Sequence, residues 1–495
     1  MKAKDLLDLK EKLAGVAGSD GVSDDAETLS SYESAGLSGG GKPLLLIRPS
    51  EASQVRTLIK LANEVGLNLV FSSSGPPRYR GDTVPSGEAV IVDMSRMDRV
   101  LRVDRRNKVA LIEPGVTFDR LKDAAEKVGL RALMPLLPRS SKSVLASYLE
   151  REPITIPKYH WDMTDPLLCT ELVFGNGDLF RTGSAAGPGG LEQQWEQGLA
   201  QKNPMGPAQT DFVRIVQGSQ GTMAAVTWAT VKLELKPTVH NLYFVLTDKL
   251  ERLVDFSYRA LRPKLADEFF ILNASALATI IADELEEIRD LAAKQAPYTL
   301  VYGITGGEFL PEQKVAWQEK DLGGIAQAVG LKATREVPGV TSRKMLEIIS
   351  NPSPDPYFKT RAGGAFLDIF FLTTLDKVTS LISVMEQAAA KNGYPVEELG
   401  VYIQPIQHGR TCHLEFNLYY NPEDEDEAGM AKTLFSEASR ALADAGAFFS
   451  RPYGHWADLA YSRCPDTVRA LKKVKEMVDP DGVLNRGKLC FKEVG

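Results

Sequence analysis

The amino-acid sequence predicts an α+β protein made of two parts, each built on its own β-sheet. Its 495 residues exceed the size at which one hydrophobic core stops growing, so two or more domains are expected. Residues 43–72 follow a strand–helix–strand pattern, whereas from about residue 238 amphipathic strands alternate with long helices. The second pattern is typical of an antiparallel sheet with helices packed over it.

The first part opens with residues 1–42, a predicted helix and a loose segment that ends in Gly39-Gly40-Gly41. Pro43–Pro49 then predicts an apolar strand. Ser50–Val65 predicts a helix, because its apolar residues recur at helical spacing and a serine stands in the N-cap position. Asn68–Ser72 predicts the next strand, which runs directly into a loop rich in serine and glycine.

The remaining elements follow from the same two periodicities. Asn176-Gly177 separates two short strands within Leu172–Thr182 and signals a type I′ hairpin. The acidic run Glu423–Glu427 predicts a solvated loop. Further strands are predicted at Ala89–Met94, Val109–Glu113, Ala224–Leu235, Asn241–Leu246, Thr299–Thr305, Phe366–Leu372, Gly400–Ile406 and Cys412–Tyr420, and further helices at Thr117–Val128, Leu250–Arg262, Ser275–Lys294 and Lys377–Asn392.

Composition argues against several classes of protein. The formal net charge is −7, which disfavours nucleic acid or an anionic membrane as the main partner. No stretch approaches the roughly 20 apolar residues of a membrane helix. The four cysteines are widely spaced and offer neither a zinc nor an iron–sulfur ligand set. A cytoplasmic protein is expected, with an exported and already processed chain as the weaker alternative.

One loop, Phe71–Pro85, could bind a phosphate group. Its three serines and Gly75 let the backbone curl without bulky side chains, so that several N–H groups can converge on an anion. Arg78 and Arg80 add positive charge. Gln217–Thr227 offers a second run of small residues, just before a strand. Either stretch alone is equally consistent with a tight turn.

Polar and aromatic residues cluster in three further places. Tyr159–Trp161 forms either a buried aromatic cluster or a pocket wall. His413 and Glu415 face the same side of a strand and, with a second histidine, could bind a divalent metal, although their spacing is not diagnostic. Arg451–Trp456 brings together an arginine, a tyrosine and a histidine that could instead hold an anionic oxygen.

In chain order, these segments resemble the FAD-binding vanillyl-alcohol-oxidase/p-cresol-methylhydroxylase (PCMH-type) family of flavoproteins, which is related to the glycolate oxidase and D-lactate dehydrogenase flavoenzymes. The resemblance extends from about Pro43 to Phe491 and rests on seven pieces in the family's order. They are SxxGxxxYxGxxxP at 72–85, VDMSRMDRV at 92–100, EPGVTFDRL at 113–121, SVLASYLER at 143–151, ELVFGNGDLFRTG at 171–183, GSQGTMAAVT at 218–227 and VDPDGVLNRGKLCF at 478–491.

The resemblance implies a PCMH-type FAD-binding domain over residues 43–237 and an α+β substrate cap domain over 238–445. Residues 446–495 would return to the FAD domain, and 1–42 would form an N-terminal helical segment. The cap is expected to be an antiparallel sheet covered by helices. By position, FAD is expected to contact Ser73, Ser74, Gly75, Gly81, Pro114, Gly115, Ser143, Gly218, Ser219, Gly221, Thr222, Val226 and His413, the last as the candidate covalent link.

The resemblance also implies an FAD-dependent oxidoreductase that transfers a hydride from a small substrate to flavin N5. A para-substituted phenol or aromatic alcohol is the first expectation, a 2-hydroxy acid the second, and a non-catalytic or electron-transfer subunit the third. No metal is assigned. Electrons are expected to pass to oxygen or to a cytochrome, an iron–sulfur protein or an electron-transfer flavoprotein, within a homo- or hetero-oligomer. The expected catalytic residues are Tyr79, Tyr159, Arg451, Tyr453, His413 and His455.

The sequence departs from the family pattern at several positions. Pro76-Pro77-Arg78 replaces the glycine-rich PRGGGT-like loop of the 2-hydroxy-acid branch, and HGRTCH at 408–413 replaces its HxGDGNxH metal motif. Arg139 or Ser140 stands where the phenol-oxidising branch carries an aspartate near the flavin. Pro452 separates the arginine and the tyrosine that would form a phenolate-binding cluster.

Overall fold

The computed structural model describes residues 3–33, 41–81, 83–160, 164–206 and 211–492. Gly39, Gly40 and Trp161, which figure in the predictions from sequence, lie outside these ranges. Within them the chain forms three main β-sheets with helices packed against each. None of the described helices is long and apolar enough to span a bilayer.

The first sheet is formed by residues up to Asp93. Its elements are α1 (Ala3–Ala17), β1 (Val22–Ser23), α2 (Ala26–Ser30), β2 (Pro43–Ile47), α3 (Ala52–Val65), β3 (Leu69–Ser72) and β4 (Ala89–Asp93). The strand order is β1-β2-β4-β3, parallel except for the antiparallel β1–β2 pair. Helix α3 buries its four periodic apolar residues as predicted, but its N-cap is Glu51, one residue beyond the expected serine. The N-terminal segment contributes a strand as well as helices.

The second sheet is antiparallel and follows directly. Its elements are β5 (Val100–Asp104), β6 (Val109–Ile112), α4 (Phe118–Glu126), β7 (Leu130–Ala132), α5 (Val144–Leu149), β8 (Leu167–Phe174), β9 (Leu179–Arg181), α6 (Leu191–Glu196), α7 (Phe212–Val216) and β10 (Ala224–Leu235). The order is β5-β6-β10-β8-β9, and β7 pairs with the far end of β10. Strand β10 is central because it pairs with β6, β7 and β8.

The β8–β9 hairpin is not of the predicted type I′. That turn needs positive φ at both central residues, whereas Gly177 has φ of 82° and Asn176 is not in the positive region. Gly177 N donates to Phe174 O at 2.9 Å. A type I turn is therefore followed by a left-handed glycine, which gives a three-residue loop.

The third sheet has seven antiparallel strands. Its part of the chain contains β11 (Val239–Thr247), α8 (Leu250–Leu261), β12 (Phe269–Asn273), α9 (Ala274–Ile281), α10 (Leu285–Ala292), β13 (Tyr298–Gly306), α11 (Pro311–Ala328), β14 (Ala333–Thr334), β15 (Glu336–Val337), β16 (Val340–Thr341), α12 (Ser342–Ile349), β17 (Ala365–Thr373), α13 (Val378–Lys391), β18 (Gly400–Ile406), β19 (Thr411–Tyr420) and α14 (Glu425–Asp444). The order is β14-β11-β13-β12-β18-β19-β17, while β15 and β16 pair separately. Helices α8, α11, α13 and α14 cover one face, and α9 and α12 cover part of the other. The predicted α+β class with a helix-covered antiparallel sheet is confirmed.

Two predictions for this region are wrong. Ser275–Lys294 is not one helix but two, α9 and α10, because Ala278, Ala282 and Ile288 meet in one apolar cluster that requires a bend. The acidic run is not a loop. Asp424 caps α14 and the following three acidic residues occupy its first turn, where negative charge stabilises a helix.

The C-terminal segment touches both parts of the molecule. Helix α15 (Trp456–Tyr461) packs on the core of the seven-stranded sheet through Trp456, and α16 (Pro465–Val478) follows. Beyond it, Leu69 N donates to Val483 O at 2.8 Å, and Leu69 forms a parallel bridge with Leu484. The tail thus lies beside β3 at the edge of the first sheet.

Candidate active site

A large cleft lies between the first two sheets and the inner face of the seven-stranded sheet. Its open volume is about 1930 Å³, a figure that includes the solvent at its mouth. Its walls come from the loop after β3, from α5 and its flanks, from the segment before β10 and from strands β17, β18 and β19.

Small residues form the wall on the side of the first two sheets. Gly218 and Gly221 have φ of 72° and 70°, and a Cβ added to Gly221 would meet nothing within 4 Å. The buried Ser219 hydroxyl has no hydrogen-bond partner among the described residues. The Ser219 hydroxyl therefore remains available to a ligand. The residues of the expected FAD set that line this wall are Ser73, Ser74, Pro114, Gly218, Ser219, Gly221 and Val226.

Ser143, also expected at the cofactor, lies behind this wall and ties its segments together. Its Oγ donates to Pro114 O at 2.5 Å, and its backbone N donates to Ser74 Oγ at 3.0 Å. The same Oγ accepts from Ala146 N at 3.1 Å and so caps α5. One serine fixes three lining segments relative to one another.

Four more residues of the expected FAD set lie outside the lining. Gly75 N donates to a backbone carbonyl at 2.9 Å, and Gly81, with φ of 73°, accepts from a lysine at 2.9 Å through its own carbonyl. A Cβ on Gly115 would come within 2.7 Å of a neighbouring carbonyl oxygen. Thr222 Oγ1 donates to Ser219 O at 2.7 Å. These residues shape the loops that line the cleft.

Strand β19 builds the opposite wall by alternation. Leu414, Phe416 and Leu418 face the covering helices, whereas Glu415 and Asn417 face the cleft. The antiparallel register then brings polar residues of the two neighbouring strands to the same face, with Asp368 opposite Asn417 and Tyr402 opposite Glu415. At these three strands the inner face of the sheet carries buried polar side chains, which is unusual for a packed core.

Arg80 is a buried cation compensated by three carboxylates. It contacts Glu152 at 2.6 Å, Glu150 at 3.2 Å and Asp368 at 3.4 Å, and Lys142 contacts Glu150 at 2.8 Å. Burial lowers the pKa of Arg80, but the carboxylates outweigh it and raise the pKa above its ordinary value. This group of charges is neutralised within the protein.

Lys359 continues the ionic network toward β19. Its Nζ lies 2.5 Å from Glu415 Oε1 and 3.4 Å from Asp368 Oδ2, and Asn417 Nδ2 donates to Glu415 at 2.8 Å. Burial opposes the charge on Lys359, yet Glu415 and its neighbours raise the pKa of the ammonium. None of these residues was singled out from sequence as catalytic, although the polar alternation along TCHLEFNLYY is a signal for them.

Arg451 differs from Arg80 and Lys359 because no carboxylate among the described residues contacts it. Its side chain is buried, and its guanidinium lies 4.1 Å from the centroid of the Phe370 ring. Nη2 lies 3.4 Å from His413 Nδ1, whereas the buried Nη1 has no hydrogen-bond partner in the described chain. Burial, followed by the charge of Arg80, lowers the pKa of Arg451. An anionic or electron-rich ligand atom would supply the missing partner.

Three aromatic rings form a box in the cleft lining. Tyr79 lies 4.7 Å from Phe366 and 5.9 Å from Tyr357, and the last two are 5.8 Å apart between centroids. Lys359 Nζ lies 5.3 Å from the Phe366 centroid, and the Arg139 guanidinium lies 5.3 Å from that of Tyr79. Such surfaces accept another aromatic ring in offset or edge-on contact.

The expected catalytic residues divide into two groups. Tyr79, Arg451 and Tyr453 line the cleft. Tyr159 does not, because its ring packs in the core of the second sheet and its hydroxyl donates to Glu234 at 2.7 Å. His455 packs against the Phe435 ring at 5.1 Å, outside the lining. His413 lies behind Arg451. No group of three or more His, Cys, Asp or Glu side chains in the described ranges is arranged to hold a metal ion.

Comparison with known proteins indicates that the cofactor is FAD. Residues 43–183 match the family model of an FAD binding domain. The solved structure of p-cresol methylhydroxylase with substrate bound superposes with a TM-score of 0.82 at 17% identity, covering 99% of this chain and 98% of that chain. Residues 43–183 therefore form an FAD-binding domain, and the whole chain has the fold of p-cresol methylhydroxylase. A 4-ethylphenol oxidase from Gulosibacter chungangensis, in complex with isoeugenol, has the same fold, with a TM-score of 0.80 at 16% identity over 99% of this chain and 98% of that one.

Several curated relatives of this flavoprotein are named for their substrates, and these names refer to two different classes of compound. The glycolate oxidase subunit GlcD of Bacillus subtilis is 27% identical over 49% of this chain, and a D-lactate dehydrogenase of Archaeoglobus fulgidus is 28% identical over 38%. These matches span 48% and 38% of the relatives' own lengths. The 4-cresol dehydrogenase [hydroxylating] flavoprotein subunit of Pseudomonas putida is 24% identical over 97% of this chain and 94% of its own.

FAD fits the wall of small residues. Its pyrophosphate requires hydrogen-bond donors and positive charge in a loop without bulk. The unpartnered Ser219 hydroxyl supplies a donor, and Gly221 leaves the space beside it free of a side chain. Arg78 and Arg139 meet the second, since their hydrogen bonds in the described chain go to backbone or hydroxyl oxygens and none goes to a carboxylate.

Proposed function

We propose that this flavoprotein takes a hydride from a para-substituted phenol or aromatic alcohol. The observation that carries the proposal is the aromatic box of Tyr79, Tyr357 and Phe366 in the same cleft as Arg451. The box suits the substrate ring, and the buried guanidinium suits an oxygen that gains negative charge. FAD, when bound, supplies the two-electron acceptor at its N5 atom.

The residues of the chain would bind and orient this substrate. A guanidinium shielded from water stabilises negative charge on the substrate oxygen more strongly than an exposed one. Arg451 would therefore favour loss of the substrate's hydroxyl proton. Tyr79 and Tyr453 line the same cleft and would offer hydroxyl donors to the oxygen. Arg80 and Lys359 are already paired with carboxylates and would hold the walls in place.

A 2-hydroxy acid is the second candidate substrate. Its carboxylate would satisfy the unpartnered Nη1 of Arg451. Proteins named D-lactate dehydrogenase are among the similar sequences, including one from Anaerostipes hadrus that is 22% identical over 95% of this chain. The aromatic box has no evident role for so small a substrate, so we place the phenol first.

Arg451→Met, with Arg451→Lys as its matched control, tests this role. We expect Met at this position to slow flavin bleaching by para-alkylphenols about 10- to 100-fold, which corresponds to one charge-assisted hydrogen bond of about 1.5–3 kcal/mol. Lys keeps the charge and should lose less. Stopped-flow absorbance at the flavin band, with phenols and 2-hydroxy acids as parallel panels, measures both. Unchanged bleaching in Arg451→Met would remove Arg451 from the mechanism.

We further propose that the reduced flavoprotein passes electrons to a partner protein and that it works as an oligomer in the cytoplasm. The similar Pseudomonas putida protein is named a flavoprotein subunit, which supports a partner such as a cytochrome, an iron–sulfur protein or an electron-transfer flavoprotein. The four cysteines are unpaired, as suits a reducing compartment. A purified chain that takes up no FAD would instead favour a non-catalytic subunit.

A further inference from the structure

His413 has both of its ring nitrogens engaged. Nε2 lies 3.2 Å from Glu415 Oε2, and Nδ1 lies 3.4 Å from Arg451 Nη2. The side chain is about 1% exposed, so water does not compete for either contact. Strand β19 fixes His413 relative to Glu415, because the two residues are two positions apart on the same face of the strand.

The two partners determine where the imidazole proton lies. A guanidinium can only donate, so Nδ1 must be the acceptor and carry no proton. A carboxylate accepts, so Nε2 carries the proton and donates it to Glu415. The ring is then neutral. Burial lowers the pKa of His413 below its ordinary value, and the charges of Arg451 and Lys359 act in the same direction against the opposing Glu415.

We propose that His413 is a positioning residue, held in its Nε2–H tautomer by Glu415, that orients Arg451 for the substrate. The imidazole engages Nη2, while the buried Nη1 has no partner in the described chain. This inference rests on the proposed function, in which Arg451 binds the substrate oxygen. It replaces the expectation that His413 carries a covalent flavin, since an attached ring would lose one of the two contacts.

The arrangement makes substrate binding sensitive to acid. Protonation of His413 would place a proton on Nδ1, directly against the guanidinium of Arg451. Binding should therefore weaken as the pH falls through the pKa of His413, which lies below 6.5. The charged and titratable groups that face the ring from all neighbouring elements are Glu415, Arg451, Lys359, His160 and Tyr402.

Two substitutions separate the two contacts of the ring. In His413→Asn the amide oxygen can stand near the place of Nδ1 and accept from Arg451, but the contact with Glu415 is lost. In His413→Gln the longer amide can reach Glu415, but the acceptor for Arg451 is lost. Dissociation constants of the FAD-loaded variants for a para-alkylphenol probe, followed by the flavin spectrum, report the effect. FAD content and thermal midpoint serve as controls for folding.

We expect His413→Gln to weaken probe binding about 10-fold or more and His413→Asn to stay within about threefold of wild type. The loss of binding at low pH should disappear in His413→Asn. In Arg451→Met, adding His413→Gln should cause no further weakening, since the two residues act through one contact. Equal losses in the Asn and Gln variants, or additive losses in the double variant, would overturn the positioning role.

Histidine labelled with ¹⁵N gives a reading that needs no substrate. At neutral pH the chemical shifts of His413, assigned by comparison with His413→Asn, should show a neutral ring protonated at Nε2. A ring protonated at Nδ1, or doubly protonated, would overturn the inference. So would flavin that stays with acid-precipitated wild type but leaves His413→Asn. Failure of the proposed function is distinct, because Arg451→Met would then leave probe binding unchanged while the tautomer is as expected.

Discussion

Arg80 and Arg451 pack against the same ring, with guanidinium carbons 4.9 Å and 4.1 Å from the Phe370 centroid, yet they differ in charge compensation. Three carboxylates contact Arg80, whereas the polar contact of Arg451 is with the imidazole of His413. The pKa values move accordingly, raised for Arg80 by its carboxylates despite burial and lowered for Arg451 by burial and by Arg80. One arginine stabilises the fold and the other is available to a ligand.

This difference predicts unequal stability effects at the two positions. Arg80→Met should lower the free energy of unfolding by about 3–5 kcal/mol, because it leaves Glu152 buried without its closest cation. Arg451→Met removes a buried cation that has no carboxylate partner in the described chain and should lower it by clearly less. Urea unfolding of both variants beside the wild type measures the difference. A larger loss for Arg451→Met would contradict the assignment.

At the scale of single residues, several positions predicted from short motifs of small residues lie in the cleft lining. Ser73, Ser74, Pro114, Gly218 and their companions line it, since small residues at these positions leave the loop backbone exposed to a ligand. Side-chain direction was not predictable in the same way. Tyr159 belongs to an aromatic run that suggests a pocket, but its hydroxyl turns to Glu234 in the core of the second sheet.

Among the elements, α14 depends on its first turn. The Asp424 carboxylate accepts from the backbone N–H groups of Asp426 and Glu427, at 3.0 and 3.1 Å, and so satisfies two of the donors that a helix leaves unpaired. The apolar residues on one face of this 20-residue helix then pack on the seven-stranded sheet. The helix is thereby held at both its start and its buried face.

Asp424→Ala should lower the free energy of unfolding by about 1 kcal/mol, because the two N–H groups lose their acceptor. Asp424→Asn keeps a side-chain oxygen and should lose only a few tenths of that amount. Thermal or urea unfolding, monitored by far-ultraviolet circular dichroism, compares the two variants. If the Ala and Asn variants are equally stable, the cap contributes nothing and the assignment fails.

Strand and helix positions were largely predictable because burial follows hydrophobic periodicity. β10 and β18 have the predicted bounds, and α8, β13 and β17 differ by a residue at one or both ends. The errors arose where tertiary contacts override the local pattern. The bend between α9 and α10 is set by packing across the two helices, and the acidic run became helical because its charge lies at a helix start.

At the scale of the whole molecule, an ionic network joins the second sheet to the seven-stranded one. Arg131 of β7 contacts Glu234 of β10 at 2.8 Å and Glu268 at 2.9 Å, just before β12. His240 Nε2 lies 2.8 Å from the other oxygen of Glu268, in a space that the absence of a side chain on Gly303 leaves open. The second sheet and the seven-stranded sheet are therefore linked by buried ion pairs.

The network predicts a defined acid sensitivity. Burial raises the pKa of Glu268, but His240 and Arg131 outweigh it and lower the pKa from the ordinary 4.5 to about 2. A carboxylate whose pKa is lowered on folding gives stability that is complete above its unfolded pKa and is lost as the pH falls through the folded one. The urea midpoint should therefore decrease as the pH is lowered from 4.5 to about 2. In Glu268→Gln this decrease should be smaller. A slope unchanged in Glu268→Gln would assign the acid loss to other carboxylates.

The contact between the C-terminal tail and β3 affects the order in which the protein folds during synthesis. Arg486 N donates to Asn68 Oδ1 at 3.0 Å across 418 positions of the chain. Contacts of such separation lose loop entropy before they return any energy, so they form late in folding. During synthesis, the contact between the tail and β3 can form only after residue 486 has left the ribosome. A ligand that binds only the folded chain shifts the population toward it, so we expect flavin supply to raise the fraction of newly made chain in which the tail has reached β3.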